Sequence, residues 1–280
     1  MTINGHILQC LRYFSFFQHP LRVDEIHRYL EVKVDLDTCR VILKELIDNG
    51  EVYSDGVYFA VKEEHLQNRK DHEMLNNKLM RIGGRVGRLI GLFPFVRGVY
   101  ISGSLSKFGA NGIDDDIDFF IITERNRLWT ARLFLILFKK AFLFNSKKYF
   151  CINFFKSTDD LVLTKRNRYI ATEAVSLIPI VNHKLLLDMY DKNHWIQSSM
   201  PNAHLYWNKT AKPSIKLPWV EFLLKGRFGN AIENKAFRIF EKHQKSKYKD
   251  HQSAEIVATK STSALFPNSV EKDVLTFLKK

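Results

Sequence analysis

The stretch VYISGSLSKFGANGIDDDIDFFII, Val99 to Ile122, places two apolar runs on either side of a turn rich in glycine and acid. GVYIS reads as one strand and IDFFIIT as a second, with GSLSKFG between them as a turn opening a short helix. Four aspartates, Asp114, Asp115, Asp116 and Asp118, fall within five positions of a chain whose formal net charge is +13. Carboxylates that close repel by about 1 kcal/mol per pair even in water, unless a cation sits among them. A solvated turn before a strand accounts for acids of this kind. A bound metal accounts for their concentration in an otherwise basic chain.

Each residue of the stretch has a chemical use. Gly103 lets the backbone turn sharply off the strand and lets a phosphate approach bare amides. Ser104 adds a hydroxyl beside those amides, and Lys107, one turn on, carries a charge able to neutralise the same oxygens. Strand alternation puts Asp116 and Asp118 on one face and Ile117 on the other, packed inward. Two neighbouring carboxylates beside a phosphate cradle suit magnesium, which takes one or two carboxylates plus substrate phosphates. Asp114 and Asp116 make a poorer pair, because Asp115 between them is not apolar. The glycine and distant glutamate of a calcium loop are missing.

Outward from this stretch the chain divides into four parts. Residues 1–62 read as three helices, INGHILQCLRYFSFF, RVDEIHRYL and DLDTCRVILKELIDNG, followed by a hairpin around Asp55-Gly56. That is the pattern of a winged helix, whose third helix would enter a DNA groove. Arg40 and Lys44 there are offset by Asp35, Asp37, Glu45 and Asp48, so the basic footprint is weak. Residues 63–95 read as a charged linker helix with Gly83, Gly87 and Gly91 at four-residue spacing, a face that another element can approach closely. Arg81, Arg85 and Arg88 share another face, solvated or turned to phosphate. Residues 96–200 form an α/β core in which RLWTARLFLILFKKAFLF is a buried helix and KYFCINFF a third strand. Residues 201–280 read as a helical, basic tail, with 15 Lys and Arg against 7 Asp and Glu from Ala203 onward, concentrated at EKHQKSKYKDHQ.

Composition narrows the class further. With 280 residues, 45% hydrophobic and 13% aromatic, the chain can bury a sizeable core. The positive charge favours polyanionic partners such as nucleotide or nucleic acid. Three cysteines, Cys10, Cys39 and Cys151, without CxxC spacing, argue against a disulfide framework or zinc cluster and for a reducing, cytoplasmic setting. No histidine pair has metalloenzyme spacing, no GxSxG elbow surrounds Ser104, and Cys151 has no histidine neighbour to activate it. The longest apolar run, Leu133 to Phe138, is far short of the roughly 20 residues that span a bilayer. The opening MTINGHILQC lacks the plan of a signal peptide, so no integral membrane segment is expected.

SGSLSKFGANGIDDDIDFFII resembles the hallmark of the polymerase-beta-like nucleotidyltransferase superfamily: Gly-Ser, a spacer of roughly ten residues, then Asp-apolar-Asp. Farther along, FFIITERNRLWTARLFL, YFCINFF, YIATEAVSLIPI and NHWIQSSMPN resemble bacterial nucleotidyltransferase-domain proteins that carry a winged helix in front. The resemblance implies an α+β fold: a winged-helix N-terminal domain, a nucleotidyltransferase core with a small mixed sheet and a helical C-terminal region. It implies that Gly103 and Ser104 hold the triphosphate, with Lys107 beside them, and that Asp116 and Asp118 bind magnesium ions. It further implies transfer of a nucleoside monophosphate from an NTP to a small molecule, RNA or protein, with release of pyrophosphate. Where the superfamily supplies a third carboxylate from a neighbouring strand, this chain aligns Asn153, which cannot serve as a base. Asp159, Asp160 and Glu173 are the nearby acids. The alternative is a catalytically silent nucleotide sensor or DNA-binding regulator on the same architecture.

Overall fold

The structure is a computed structural model that describes residues 1–112, 114–144, 146, 148–206, 211–212, 218–247, 255–266 and 270–279. The strands β3 (Val96–Ile101) and β4 (Asp118–Thr123) flank the quoted turn. They pair antiparallel, with Val99 opposite Ile121 and Ile101 opposite Phe119. Their alternation sorts the side chains into two cores. Val99, Ile101, Phe119 and Ile121 join one buried cluster, and Tyr100, Phe120 and Ile122 join the other. A strand flanked by apolar layers on both faces reads as a continuous hydrophobic run, which is why YI and FFII carry no polar residue.

Parallel to β4 lies β5 (Cys151–Ser157), reached through the crossover helix α5 (Leu128–Phe142). β6 (Ile178–Val181) pairs antiparallel with the other edge of β3. The hairpin β7 (Glu255–Ala258) and β8 (Thr262–Phe266) adds to β5 through β8, giving a six-stranded mixed sheet in the order β6-β3-β4-β5-β8-β7. The tail expected to be helical therefore contributes two strands, alongside α9 (Pro218–Leu223), α10 (Gly226–Lys247) and α11 (Glu271–Phe277). Each of these strands is only four or five residues long, and Ser263 and Ala264 are buried by the sheet rather than by their own hydrophobicity. Of EKHQKSKYKDHQ, residues 248–252 lie outside those described.

Ahead of the sheet come α1 (Ile3–Ser15), α2 (Val23–Tyr29), α3 (Leu36–Asp48) and the short hairpin β1 (Tyr53–Ser54) with β2 (Phe59–Ala60). A bridge from Leu21 to Phe59 ties the hairpin back to the segment between α1 and α2. Asp35 caps α3 by accepting from the Thr38 amide. Next, α4 (His65–Gly91) packs against β3 and β6 of the sheet. A Cβ at Gly83 would come within 2.9 Å of Ile101 Cδ1, and one at Gly87 within 2.9 Å of Ile180 Cγ2. The glycine spacing thus brings the helix backbone onto the strands, while Arg81, Arg85 and Arg88 remain exposed. α6 (Arg168–Ser176), α7 (His183–Lys192) and α8 (His194–Ser199) complete the other layer, against α1–α3. Among the described residues no helix is long and apolar enough to cross a membrane.

Candidate functional site

The turn after β3 is shaped by what sits beneath it. Gly103 has φ +67°, and a Cβ there would lie 2.5 Å from Asp118 Oδ2. Only glycine lets the turn pass so close to the first carboxylate of β4. The Ser102 amide donates to the Asp118 carbonyl at 3.0 Å, and the Ser106 hydroxyl donates to the Gly103 carbonyl at 2.8 Å. Ser104 opens a single 3-10 turn, Leu105–Lys107, and is exposed. Its carbonyl accepts from the amides of Lys107 and Gly109, both at 3.0 Å. From below, His19 supports the loop, with Nδ1 3.6 Å from where a Gly109 Cβ would be. Burial, with the charges of Arg69 and Lys107, lowers His19 to about 3 and keeps it neutral.

The four aspartates separate into two pairs of roles. Asp114 is exposed and meets Lys148 Nζ at 2.7 Å, while Asp115 accepts from the Asn111 amide at 2.8 Å and closes the loop. Asp116 and Asp118 flank Ile117, which is fully buried in the apolar core. Asp118 receives a hydrogen bond from Asn153 Nδ2 at 2.9 Å. Burial raises its carboxyl to about 6, reinforced by the charges of Asp116 and Glu173; a hydrogen bond from Cys151 and the charge of Lys107 pull the other way.

Gly103, Lys107, Asp118 and Asn153 are thus brought together, with Asp116 close enough to act on Asp118 electrostatically. The Lys107 ammonium is not turned to solvent. It donates to the Gly103 carbonyl at 2.7 Å and to the two Glu173 oxygens at 2.9 and 3.0 Å. Glu173, from α6, is the acid that reaches the site. Asp159 is hydrogen-bonded by Ser157, and Asp160 is held by Lys156, Ser261 and Thr262 at the far end of β5. A glutamate interrupting the buried run Ala171, Thr172, Ala174 and Val175 was the available sequence signal for Glu173.

Among the described residues no group of three or more His, Cys, Asp or Glu forms a protein-only metal cage. Asp116 and Asp118 are the two carboxylates here that could hold a magnesium ion, which takes one or two carboxylates and keeps water or phosphate in its other coordination positions. A buried carboxyl with a raised pKa beside a second acid is what such a cation would stabilise in its ionised form. No family model, curated protein or solved structure matches the chain.

Proposed function

We propose that this chain is a magnesium-dependent nucleotidyltransferase that moves a nucleoside monophosphate from an NTP to a hydroxyl or phosphate acceptor. The observation that carries the reading is the apposition of the Gly103 turn and the Asp118 carboxylate, too close for any side chain between them. In this reading the amides and hydroxyl at Gly103-Ser104 bind the β- and γ-phosphates. Asp116 and Asp118 hold the metal, and Asn153 fixes the orientation of Asp118 through its amide. Lys107 acts from behind the turn: by holding the Gly103 carbonyl it keeps the loop amides directed outward. Glu173 keeps that lysine in place. Magnesium, when bound, supplies charge neutralisation at the phosphates and activation of the attacking oxygen. The three N-terminal helices and their hairpin are read as a winged helix used for packing, because α3 shows solvent a balanced set of charges, with Arg40 already paired to Asp37 at 2.6 Å.

Calorimetry of the four NTPs with and without magnesium tests this, using wild type and Asp116→Ala/Asp118→Ala. Binding of an NTP that needs both metal and the aspartates is the expected result. Absence of binding at millimolar nucleotide would remove the basis of the reading. Asn153 in the third-carboxylate position favours one further reading, a nucleotide sensor without turnover. Metal-dependent NTP binding with no pyrophosphate released across small-molecule, RNA and protein acceptors would select it.

A further inference from the structure

A cavity of about 370 Å³ lies where α2, α4, β6 and α7 meet. Clefts that hold small molecules run from roughly 300 to 1,000 Å³, so it is of adequate size for a compact ligand. Ser106 and Lys107 line it, whereas Ser104, Asp116 and Asp118 do not. It is therefore a different place from the nucleotide site, separated from it by the thickness of the Gly103–Lys107 turn.

Several polar groups on its wall already have partners. Arg69 is forked onto Glu25, with Nη2 to Oε1 at 2.7 Å, and also donates to the Pro20 carbonyl at 3.0 Å. Asn76 uses its whole amide on the carbonyls of His72 and Ala110 and the amide of Ala110. Arg22 meets Tyr58 and Glu73. Arg28 is less fully used, although its side chain also bonds the Tyr29 hydroxyl. One Nη reaches the Tyr206 carbonyl at 3.4 Å, and the guanidinium lies 5.4 Å from the Tyr206 ring centre. Its Nε is buried and has no hydrogen-bond partner among the described residues. A buried donor left unmade costs about 1–3 kcal/mol, more when charged. A fork of guanidinium donors matches the two oxygens of a carboxylate or phosphate. Phe108, Leu177 and Pro179 supply apolar groups to the same cavity. Asp24, Glu25 and Glu73 also face it, which disfavours a polyanion such as a triphosphate.

We propose that this cavity is a second binding site, for a small aromatic acid whose single carboxylate or phosphate pairs with Arg28. The ring lies against Phe108 and Pro179. This does not depend on nucleotidyl transfer at the other site. Because α2 and the Lys107 turn form parts of its wall, an occupant would tie the N-terminal helices to the loop that carries Gly103.

The test is calorimetric titration of the full chain, without magnesium, with phenyl phosphate and with benzoate; the two probes separate a phosphate from a carboxylate ligand. Wild type should bind one of them at a single site. Arg28→Gln and Arg28→Lys should each weaken it at least tenfold, the lysine variant because charge without the fork is insufficient. Asp116→Ala/Asp118→Ala should bind as wild type does. No binding of either probe at millimolar concentration overturns the proposal, as does equal affinity in the Arg28 variants. Loss in the aspartate variant also overturns it, by assigning the probe to the nucleotide site. Should the Arg28 variants fail to fold, the Arg28 Nε–Hε resonance of wild type decides: it should shift on titration, and an unmoved resonance refutes the site.

Discussion

Asp118 is placed where its charge is costly without a cation. Its carboxyl is raised to about 6, first by burial and then by Asp116 and Glu173, against 3.8 for an ordinary aspartate. Between those two values the folded chain binds more protons than the unfolded one, so stability falls as pH rises through the window. Above pH 6 the metal-free protein carries the whole penalty, about 2 kcal/mol if each pKa unit is worth about 1.4 kcal/mol and part is screened. Asp118→Asn should therefore melt about 4 °C above wild type at pH 8 without metal, and the two should converge near pH 4. A constant offset from pH 4 to 8 would show that the carboxyl is not strained. Gly103→Ala probes the same contact from the other side. Its Cβ would meet Asp118 Oδ2 at 2.5 Å on a backbone with φ +67°. We expect metal-dependent NTP binding to fall more than tenfold with a stability loss of only about 1–3 kcal/mol; unchanged binding would separate the turn from the aspartates.

At the scale of elements, α4 carries a pair of glycines whose substitution should have opposite signs. Replacing a helix-interior glycine by alanine gains about 1 kcal/mol where space is open. At Gly84 a Cβ meets nothing nearer than Arg88 Nη1 at 3.9 Å, so Gly84→Ala should stabilise by up to about 1 kcal/mol. At Gly87 it meets Ile180 Cγ2 at 2.9 Å and the branched Cβ at 3.2 Å, atoms close to a strand backbone. Gly87→Ala should cost about 1–3 kcal/mol despite the same propensity gain. Urea denaturation measures both, and two values of equal sign would contradict the helix-on-sheet packing. The glycine spacing was legible in the sequence as a face for close approach, and so was β3 under Gly83, but the strand under Gly87 was not. β6 is four residues with Pro179 inside it, the mark of an edge strand, and such a segment has too few alternations to stand out. β7 and β8 escaped for a related reason: Thr262 to Phe266 pairs with β5 more than a hundred residues earlier in the chain. By contrast β3, the glycine turn and β4 were readable because pairing, alternation and turn chemistry all lie within 28 residues, Val96 to Thr123. Glu173 was legible as one of three nearby acids, but that it rather than Asp159 or Asp160 reaches the site was not. It reaches the site from a helix 55 positions beyond Asp118 in sequence, tied there by its ion pair with Lys107.

At the scale of the whole molecule, the N-terminal helices share a core with the sheet. Ile7, Tyr29 and Leu43 belong to the same buried cluster as Tyr100 and Phe120, across the boundary that the sequence suggests near residue 62. Polar ties cross it too: Tyr29 Oη with Ser176 Oγ at 3.0 Å, Arg168 with Glu31 at 2.7 Å, and the Arg69–Glu25 fork from α4 to α2. Of these the fork is deeply buried, its side chains 5% and 15% exposed. Removing one partner of such a pair strands the other charge and costs about 3–5 kcal/mol. Arg69→Ala should then loosen α1–α3 from the rest, and the four tryptophans give a way to see it. Trp129, Trp195, Trp207 and Trp219 all lie beyond residue 62, so their fluorescence comes from the later part of the chain, while circular dichroism follows every helix. In wild type the two urea transitions should coincide, as one shared core requires. In Arg69→Ala the dichroism should begin to fall at lower urea than the fluorescence changes. Arg69→Met/Glu25→Gln, which leaves no buried charge, should bring the two curves back together. Coincident curves with an unshifted midpoint in Arg69→Ala would mean that the apolar cluster alone joins the two halves, and that the fork adds nothing to their cooperativity.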